Sequence, residues 1–341
     1  MINPYFWINL FVDGAIVSAI SFFIVSYLLP KTIKSLTSKG DTVPDVHKPN
    51  RQYIPRPAGP TLLVGIVTAE IILYFITLNT KVIAILFTTI IAFAIGFIDD
   101  KRVMPGWFKP VALVASAAPI IFFSAHGSHL NLIFGDAFIP LLYIPLVLVI
   151  IPVAGNTINS IDVLNGVASG FVAITMVPLL LSVAIFGSSE VFLSALPLFF
   201  GTIALYRYHK FPSKIFPGDS GTLLIGSMYG AIAIAGNSEL IAVIALLPAV
   251  MNSFLFLASV KRIVEHRQVK SRPTLLMDDF RLMASNDKNA PITLLRLILA
   301  EGPLSEKDIC REIFKLAVFS SFLSLISIVI QYSFLSGILP K

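Results

Sequence analysis

The 341 residues are 56% hydrophobic and only 13% charged, with a mean hydropathy of +0.87. Soluble domains carry about 25% charged residues, so an ordinary soluble enzyme is excluded, as are disordered and collagenous chains. A single cysteine, Cys310, rules out an intrachain disulfide and a thiolate metal cluster, and the net charge of +6 reads as loop charge orienting membrane spans rather than as a nucleic-acid footprint.

Apolar runs between polar breaks predict ten membrane-spanning helices, at about 7–29, 60–79, 82–98, 110–125, 138–154, 166–186, 190–206, 221–236, 239–260 and 314–336. The expected fold class is all-α: a polytopic membrane protein forming one domain over 1–341, with a cytoplasmic insertion at about 261–313 between the last two spans. The first run lacks a basic leader and is long enough to cross, so a span is expected there rather than a cleaved signal. Of the 25 Lys and Arg residues, Lys81 and Lys341 fall on one side of the spans and the remaining 23 on the other. The basic side is read as cytoplasmic, with both termini outside. The unusual polar residues gather on that side too, so the function is expected at the cytoplasmic face.

Glu70, midway along the second span, is an acid inside the hydrocarbon. It reads either as a functional group or as a protonated or hydrogen-bonded packing residue facing another helix. The third span ends in Asp99-Asp100. Adjacent carboxylates at a helix C-terminus oppose the macrodipole and repel each other, so they need a cation or a ligand. The ordinary alternative is a solvated helix end neutralised by Lys101 and Arg102. In AGNTINSIDVLNG, after the fifth span, Asn156, Asn159 and Asp162 fall on one stripe if the helix continues, and Asn165-Gly166 turns into the sixth. These oxygens, in a loop without Lys or Arg, suit a hard cation such as Mg²⁺, with capping and turn chemistry as the alternative.

YRYHKFPSKIFPGDSG holds one acid, Asp219, where the eighth span begins, as an N-cap or a further oxygen ligand. After the ninth span, KRIVEHRQVKSRP collects His266, Arg267, Lys270 and Arg272, which suit an anionic substrate or acidic lipid headgroups. The stretch at about 274–313 has an amphipathic run (Leu294, Leu295, Leu297, Ile298) and a capping-box-like Ser305-x-x-Asp308. It reads as a lid, a membrane-surface anchor or a dimer contact. No Ser-His-Asp set, HExxH, P-loop or dinucleotide fingerprint is visible, which argues against hydrolase, zincin and ATP-driven readings.

At these residues the chain resembles the polyprenyl-phosphate N-acetylhexosamine-1-phosphate transferase family over nearly its whole length. DDKRVMPGWFK is similar to the family's Asp-Asp motif with a following lysine, which assigns Asp99, Asp100 and Lys109 to catalysis. NTINSIDVLNG is similar to the Asn-rich loop and FPSKIFPGDSG to the (Y/F)PSxxFxGD stretch of the eukaryotic branch. By that resemblance Asn159, Asp219 and Asp162 are metal ligands, while Asn156, Asn165 and Arg56 contact substrate. TLLRLILAEGPLSEKD also resembles a eukaryotic segment, so the dolichol-type branch is favoured. Two regions depart from it. KPNRQYIPRPAGP resembles the prokaryotic first loop, and EHRQVKSRP lacks the Arg-His-Arg triplet that contacts sugar in the eukaryotic branch. His266, Arg267, Lys270 and Arg272 therefore remain alternatives for sugar contact.

The resemblance implies transfer of GlcNAc-1-phosphate, or a related N-acetylhexosamine-1-phosphate, from a UDP-sugar to polyprenyl or dolichyl phosphate, with release of UMP. It implies Mg²⁺, with Mn²⁺ as a substitute, membrane lipid and a homodimer as partners, and no nucleic acid. A dolichol-type core with a prokaryotic first loop points to the plasma membrane of a prokaryote, an archaeon in particular. The competing class is a nucleotide-sugar or lipid transporter, which should place polar residues mid-span and on both faces. A CDP-alcohol phosphatidyltransferase would carry an aspartate-rich signature that is not found.

Overall fold

The structure, a computed structural model, describes residues 6–46, 52–102, 104–261, 269, 271–336 and 338. Helix α1 (Phe6–Lys39) leads into a short antiparallel hairpin, β1 (Thr42–Pro44) with β2 (Tyr53–Pro55), in which Val43 faces Ile54. Then come α2 (Gly59–Thr77), α3 (Thr80–Lys101) and α4 (Phe108–Phe122), followed by a second hairpin of β3 (His129–Leu132) and β4 (Gly135–Phe138). Helices α5 (Pro140–Ile161), α6 (Val167–Phe186), α7 (Ser189–His209), α8 (Gly218–Ala235) and α9 (Glu239–Val260) run in tight succession. A hairpin of β5 (Thr274–Leu276) and β6 (Leu282–Ala284), the short α10 (Leu294–Ile298) and the long α11 (Glu306–Leu335) complete the described chain.

Each expected span coincides with one of the long helices. Eight of them are long and apolar enough to cross a bilayer. The other two are α4, only 15 residues long, and α8, in which every residue is buried. Helix α8 is the central post, with α2, α3, α5 and α7 packed around it. Its Gly, Ser and Ala residues let neighbouring backbones approach closely, the usual device where lipid removes the hydrophobic drive between helices. On the outside, Phe11, Phe23 and Phe75 stand exposed, as side chains facing hydrocarbon do. The chain is an integral, multi-pass membrane protein.

Three helices outrun their expected spans. Helix α1 continues past Pro30 to Lys39, α5 continues through Asn156 and Asn159 to Ile161, and α11 begins at Glu306. In each case the extension is polar, so hydropathy stops at the hydrocarbon edge while backbone hydrogen bonding carries the helix on. The amphipathic run at Leu294 forms only α10, against the basic-end terminus of α9, where Leu294 N–H donates to Asn252 Oδ1.

The helices alternate in direction, so the C-terminal ends of α3, α5, α7 and α9 meet the N-terminal ends of α4, α6, α8 and α11 at the basic end. At the opposite end the turns are short and tied by contacts such as Lys81 Nζ to Ala235 O and Asn131 Nδ2 to Asn237 O. Glu70 lies buried in α2, with both carboxylate oxygens 2.8–2.9 Å from Ser194 Oγ of α7.

Candidate active site

At the basic end the helix termini and the first hairpin surround a cavity of about 710 Å³, lined by Arg56, Lys109, Asn156, Asn159, Asp162, Asn165, His209 and Asp219, among others. Burying adjacent acids is costly unless cations accompany them. Here the cations come from far along the chain. Lys109, at the start of α4, sits 2.9 Å from Asp99 Oδ2 and 3.4 Å from Asp219 Oδ2. Arg56, from the first loop, sits 3.0 Å from Asp100 Oδ1 and 3.3 Å from Asp219 Oδ2. Lys101 turns away and meets Asp41 at 3.7 Å on the surface, so this adjacent lysine is not what compensates the acid pair.

The two members of that pair are held differently. Asp99 is 4% exposed and accepts the backbone N–H of Met104 through Oδ1, with Oδ2 on Lys109. Asp100 reaches the first turn of α8. Its Oδ1 accepts from Asp219 N at 2.9 Å, and its Oδ2 accepts from Ser220 N at 2.9 Å and Ser220 Oγ at 2.6 Å. The first N–H groups of a helix lack intrahelical partners, and a carboxylate there is favoured by the macrodipole as well. Asp100 thus does for α8 what a local N-cap does elsewhere. Pro217 occupies the N-cap position without a side-chain bond, and Asp219 lies inside the first turn, its carboxyl turned to the cations.

Gly218 makes this junction sterically feasible. Its φ is +74°, and a Cβ there would lie 2.4 Å from Pro57 Cβ and 2.7 Å from Asp100 Oδ2. Across the junction, Gly96 of α3 packs so closely that a Cβ would fall 2.4 Å from the Asp219 carbonyl oxygen.

The Asn-rich segment supplies the facing wall. Asn156 Nδ2 donates back to Pro152 O at 3.0 Å. Asn159 Oδ1 accepts from Thr222 Oγ1 of α8 at 2.7 Å, which leaves one carbonyl lone pair for a ligand. Asp162 caps α5; burial pushes its carboxyl up to about 7, while the charge of Arg56 and the N–H of Ala168 pull it down. Asn165 ties four segments together. Its Oδ1 accepts from Ser213 N, and its Nδ2 donates to Asp45 Oδ2 at 3.2 Å and to Glu306 Oε1 at the start of α11.

Arg272 is exposed and does not line the cavity; His266, Arg267 and Lys270 lie outside the described residues. Asp45, Glu306, Thr222, Ser169 and His209 were not visible as site residues in the sequence. His209 lies inside the YRYHKFPS stretch, and an imidazole a few residues before the motif that carries Asp219 was the one available signal.

Among the described residues no group of three or more His, Cys, Asp and Glu stands in a metal-binding arrangement. Asn159, Asp162 and Asp219 nevertheless fit Mg²⁺, which takes one or two carboxylates and completes its octahedron with water and substrate phosphates rather than with a protein cage. Asp162 Oδ1 is buried without a hydrogen-bond partner, as an oxygen reserved for such a site would be.

Residues 82–237 match the profile of glycosyl transferase family 4. Over that segment the chain is similar to glycosyl transferase family 4. The matched segment runs from α3 to α8 and carries Asp99, Asp100, Lys109, Asn159, Asp162 and Asp219. A phospho-N-acetylmuramoyl-pentapeptide-transferase of Staphylococcus haemolyticus is 28% identical over 250 residues, covering 68% of this chain and 78% of the relative. A protein of Saccharolobus solfataricus, provisionally named UDP-N-acetylglucosamine–dolichyl-phosphate N-acetylglucosaminephosphotransferase, is 26% identical over 301 residues, covering 85% of this chain and 89% of the relative.

Proposed function

We propose that the protein transfers GlcNAc-1-phosphate, or a closely related N-acetylhexosamine-1-phosphate, from a UDP-sugar to polyprenyl or dolichyl phosphate at the cytoplasmic face of a prokaryotic plasma membrane. The observation that carries this reading is the buried set of Arg56, Lys109, Asp99, Asp100 and Asp219, drawn from three helix ends and one loop of a family 4-like fold. The relatives' names support the reaction class, since both describe transfer of a phosphosugar.

An acceptor phosphate oxygen attacks the sugar-bearing phosphorus of the donor, the bond to UMP breaks, and a new pyrophosphate remains on the lipid. Such transfers are accelerated mainly by positioning and by neutralising phosphate charge. Lys109 and Arg56 supply the fixed positive charge. Asp99, held 2.9 Å from Lys109 behind the cavity wall, orients the acceptor in this reading, which needs no general base because a phosphate monoester, with a second pKa of about 6, is largely ionised already. Asn159, Asp162 and Asp219 would hold Mg²⁺ or Mn²⁺, whose chemistry is withdrawal of charge from the donor pyrophosphate. The apolar flank of the cavity, Pro152 and Val153 of α5 with Val250, Phe254 and Leu257 of α9, suits the first isoprene units, since Val153, Phe254 and Leu257 also reach the lipid-facing surface.

The test is incubation of the purified protein in lipid with radiolabelled UDP-GlcNAc, a polyprenyl phosphate and Mg²⁺. A labelled lipid and UMP that both vanish with EDTA are expected, and dolichyl against undecaprenyl acceptor then identifies the branch. No product from any UDP-N-acetylhexosamine overturns the reading.

A further inference from the structure

Among the described residues of the cavity wall, one imidazole has no part in the chemistry described so far. His209, the last residue of α7, is 1% exposed. Its Nδ1 lies 2.9 Å from Ser169 Oγ of α6, and its Nε2 lies 3.6 Å from Asp162 Oδ1. Phe216 stands edge-on to the ring and fixes its plane. Serine, imidazole and carboxylate thus form a line across α6, α7 and the end of α5.

This line is not a nucleophilic triad. Ser169 is fully buried and does not line the cavity, so no substrate reaches its hydroxyl. The geometry acts in the other direction, from Ser169 toward Asp162. In a neutral imidazole one nitrogen donates and the other accepts, and the partner of one decides the role of the other. With the Ser169 hydroxyl donating to Nδ1, Nε2–H points at Asp162 Oδ1. The opposite tautomer would set a lone pair against a carboxylate oxygen, and a protonated ring would still present Nε2–H. With Asp162 ionised, as a metal ligand must be, the donor facing it is therefore the same in every favourable arrangement. Its 3.6 Å separation is an electrostatic contact, longer than a hydrogen bond, which a small rotation of either side chain would close.

Asp162 needs such a partner. It caps α5 at the start of an irregular turn, the Ala168 N–H in the first turn of α6 reaches its carboxyl, its Oδ1 is left without a hydrogen-bond partner, and the other charged groups facing it are Arg56 and Asp219. Metal-binding groups are commonly oriented by hydrogen bonds from residues behind them. We propose that Ser169 and His209 form a hydrogen-bonded chain that positions Asp162 for a divalent cation, which makes His209 a positioning residue of the transferase. The proposal rests on the reading of Asp162 as a metal ligand.

The experiment is titration of Mn²⁺ by electron paramagnetic resonance into the purified full-length protein with UMP present, alongside transfer assays over a range of Mg²⁺. His209→Leu is expected to weaken Mn²⁺ about 10–100-fold, the range for lost outer contacts at metal sites. Ser169→Ala weakens it less and removes a single oxygen, so it serves if the leucine variant does not fold. His209→Gln, with an amide N–H near the position of Nε2, restores affinity. The half-saturating Mg²⁺ for transfer moves with the Mn²⁺ affinity, whereas the KM for the UDP-sugar at saturating Mg²⁺ stays within about twofold. In an Asp162→Ala background, His209→Leu costs nothing further. Wild-type Mn²⁺ affinity in both His209→Leu and Ser169→Ala, with loss in Asp162→Ala, would reduce His209 to a packing residue. Wild-type affinity in Asp162→Ala overturns the proposal together with the metal reading of Asp162, and leaves the transfer assay to judge the reaction itself.

Discussion

Lys109 joins the two acids that the proposed reaction uses most directly. It lies between Asp99 and Asp219, and its side chain is 7% exposed, so replacing it with Met leaves two buried carboxylates short of a cation. Breaking a buried pair from one side costs about 3–5 kcal/mol, so Lys109→Met should lower the melting temperature in detergent and reduce transfer together. Lys109→Arg keeps the charge but replaces a compact ammonium with a planar fork, so it should recover stability more than turnover. Equal recovery of both would place Lys109 outside the chemistry. The neighbouring acids make a second test. Asp100→Asn puts an NH₂ group against the N–H donors of Asp219 or Ser220 and should cost about 1–2 kcal/mol, the scale of a lost helix cap. Asp99→Asn keeps that cap but takes the carboxylate charge from the buried Lys109 contact at 2.9 Å, so thermal unfolding should show the larger loss for Asp99→Asn although the sequence context of the two is the same. The sequence makes the need for compensating charge legible, because two carboxylates at a helix end cannot be ignored. The suppliers, Arg56 and Lys109, are not legible without the resemblance, since the nearest cations along the chain, Lys101 and Arg102, are the natural first choice, and Lys101 pairs with Asp41 instead.

At the level of elements, the site is the junction of α8 with α2 and α3. Helix α8 can place Asp219 beside the cations only because Gly218 turns at positive φ and Gly96 lets α3 touch the Asp219 backbone. Overpacking a fitted contact costs about 1–3 kcal/mol and shifts backbone, so Gly96→Ala should displace the first turn of α8 and weaken Mn²⁺ binding while the outer ends of the helices keep their packing. Unchanged Mn²⁺ affinity in a folded Gly96→Ala variant would mean that α8 tolerates the shift and that Asp219 is not held by this contact. Helix identity was well specified by runs of apolar residues, and each expected span has its helix. Helix ends were not, because the polar turns that extend α1, α5 and α11 past the hydrocarbon contribute nothing to hydropathy, and those turns carry Asn156, Asn159 and Glu306. The Ser169–His209–Asp162 line was invisible for a related reason. Its members belong to three elements, and only the packing of α6 against α7 brings them within reach.

For the whole molecule, charge and architecture agree on one end as the site of action. The basic loops, the buried acids and the cavity share it, whereas the opposite end has tight turns and the exposed β3–β4 hairpin. Distribution of Lys and Arg across alternate loops orients a bundle during insertion, so the basic end should face the cytoplasm, where nucleotide-linked sugars are available. The chain offers a direct way to check this. Its one cysteine, Cys310, is 5% exposed and packed under Asn165, so the wild-type protein should react poorly with maleimides and serve as a clean background. Asp136 on the β3–β4 hairpin and Lys214 in the loop before α8 are both exposed and lie at opposite ends. In intact cells a membrane-impermeant maleimide should label Asp136→Cys and spare Lys214→Cys, and permeabilisation should make both reactive. The reverse pattern would put the cavity on the side away from cytoplasmic nucleotide sugars, and the transferase reading would fall with the orientation.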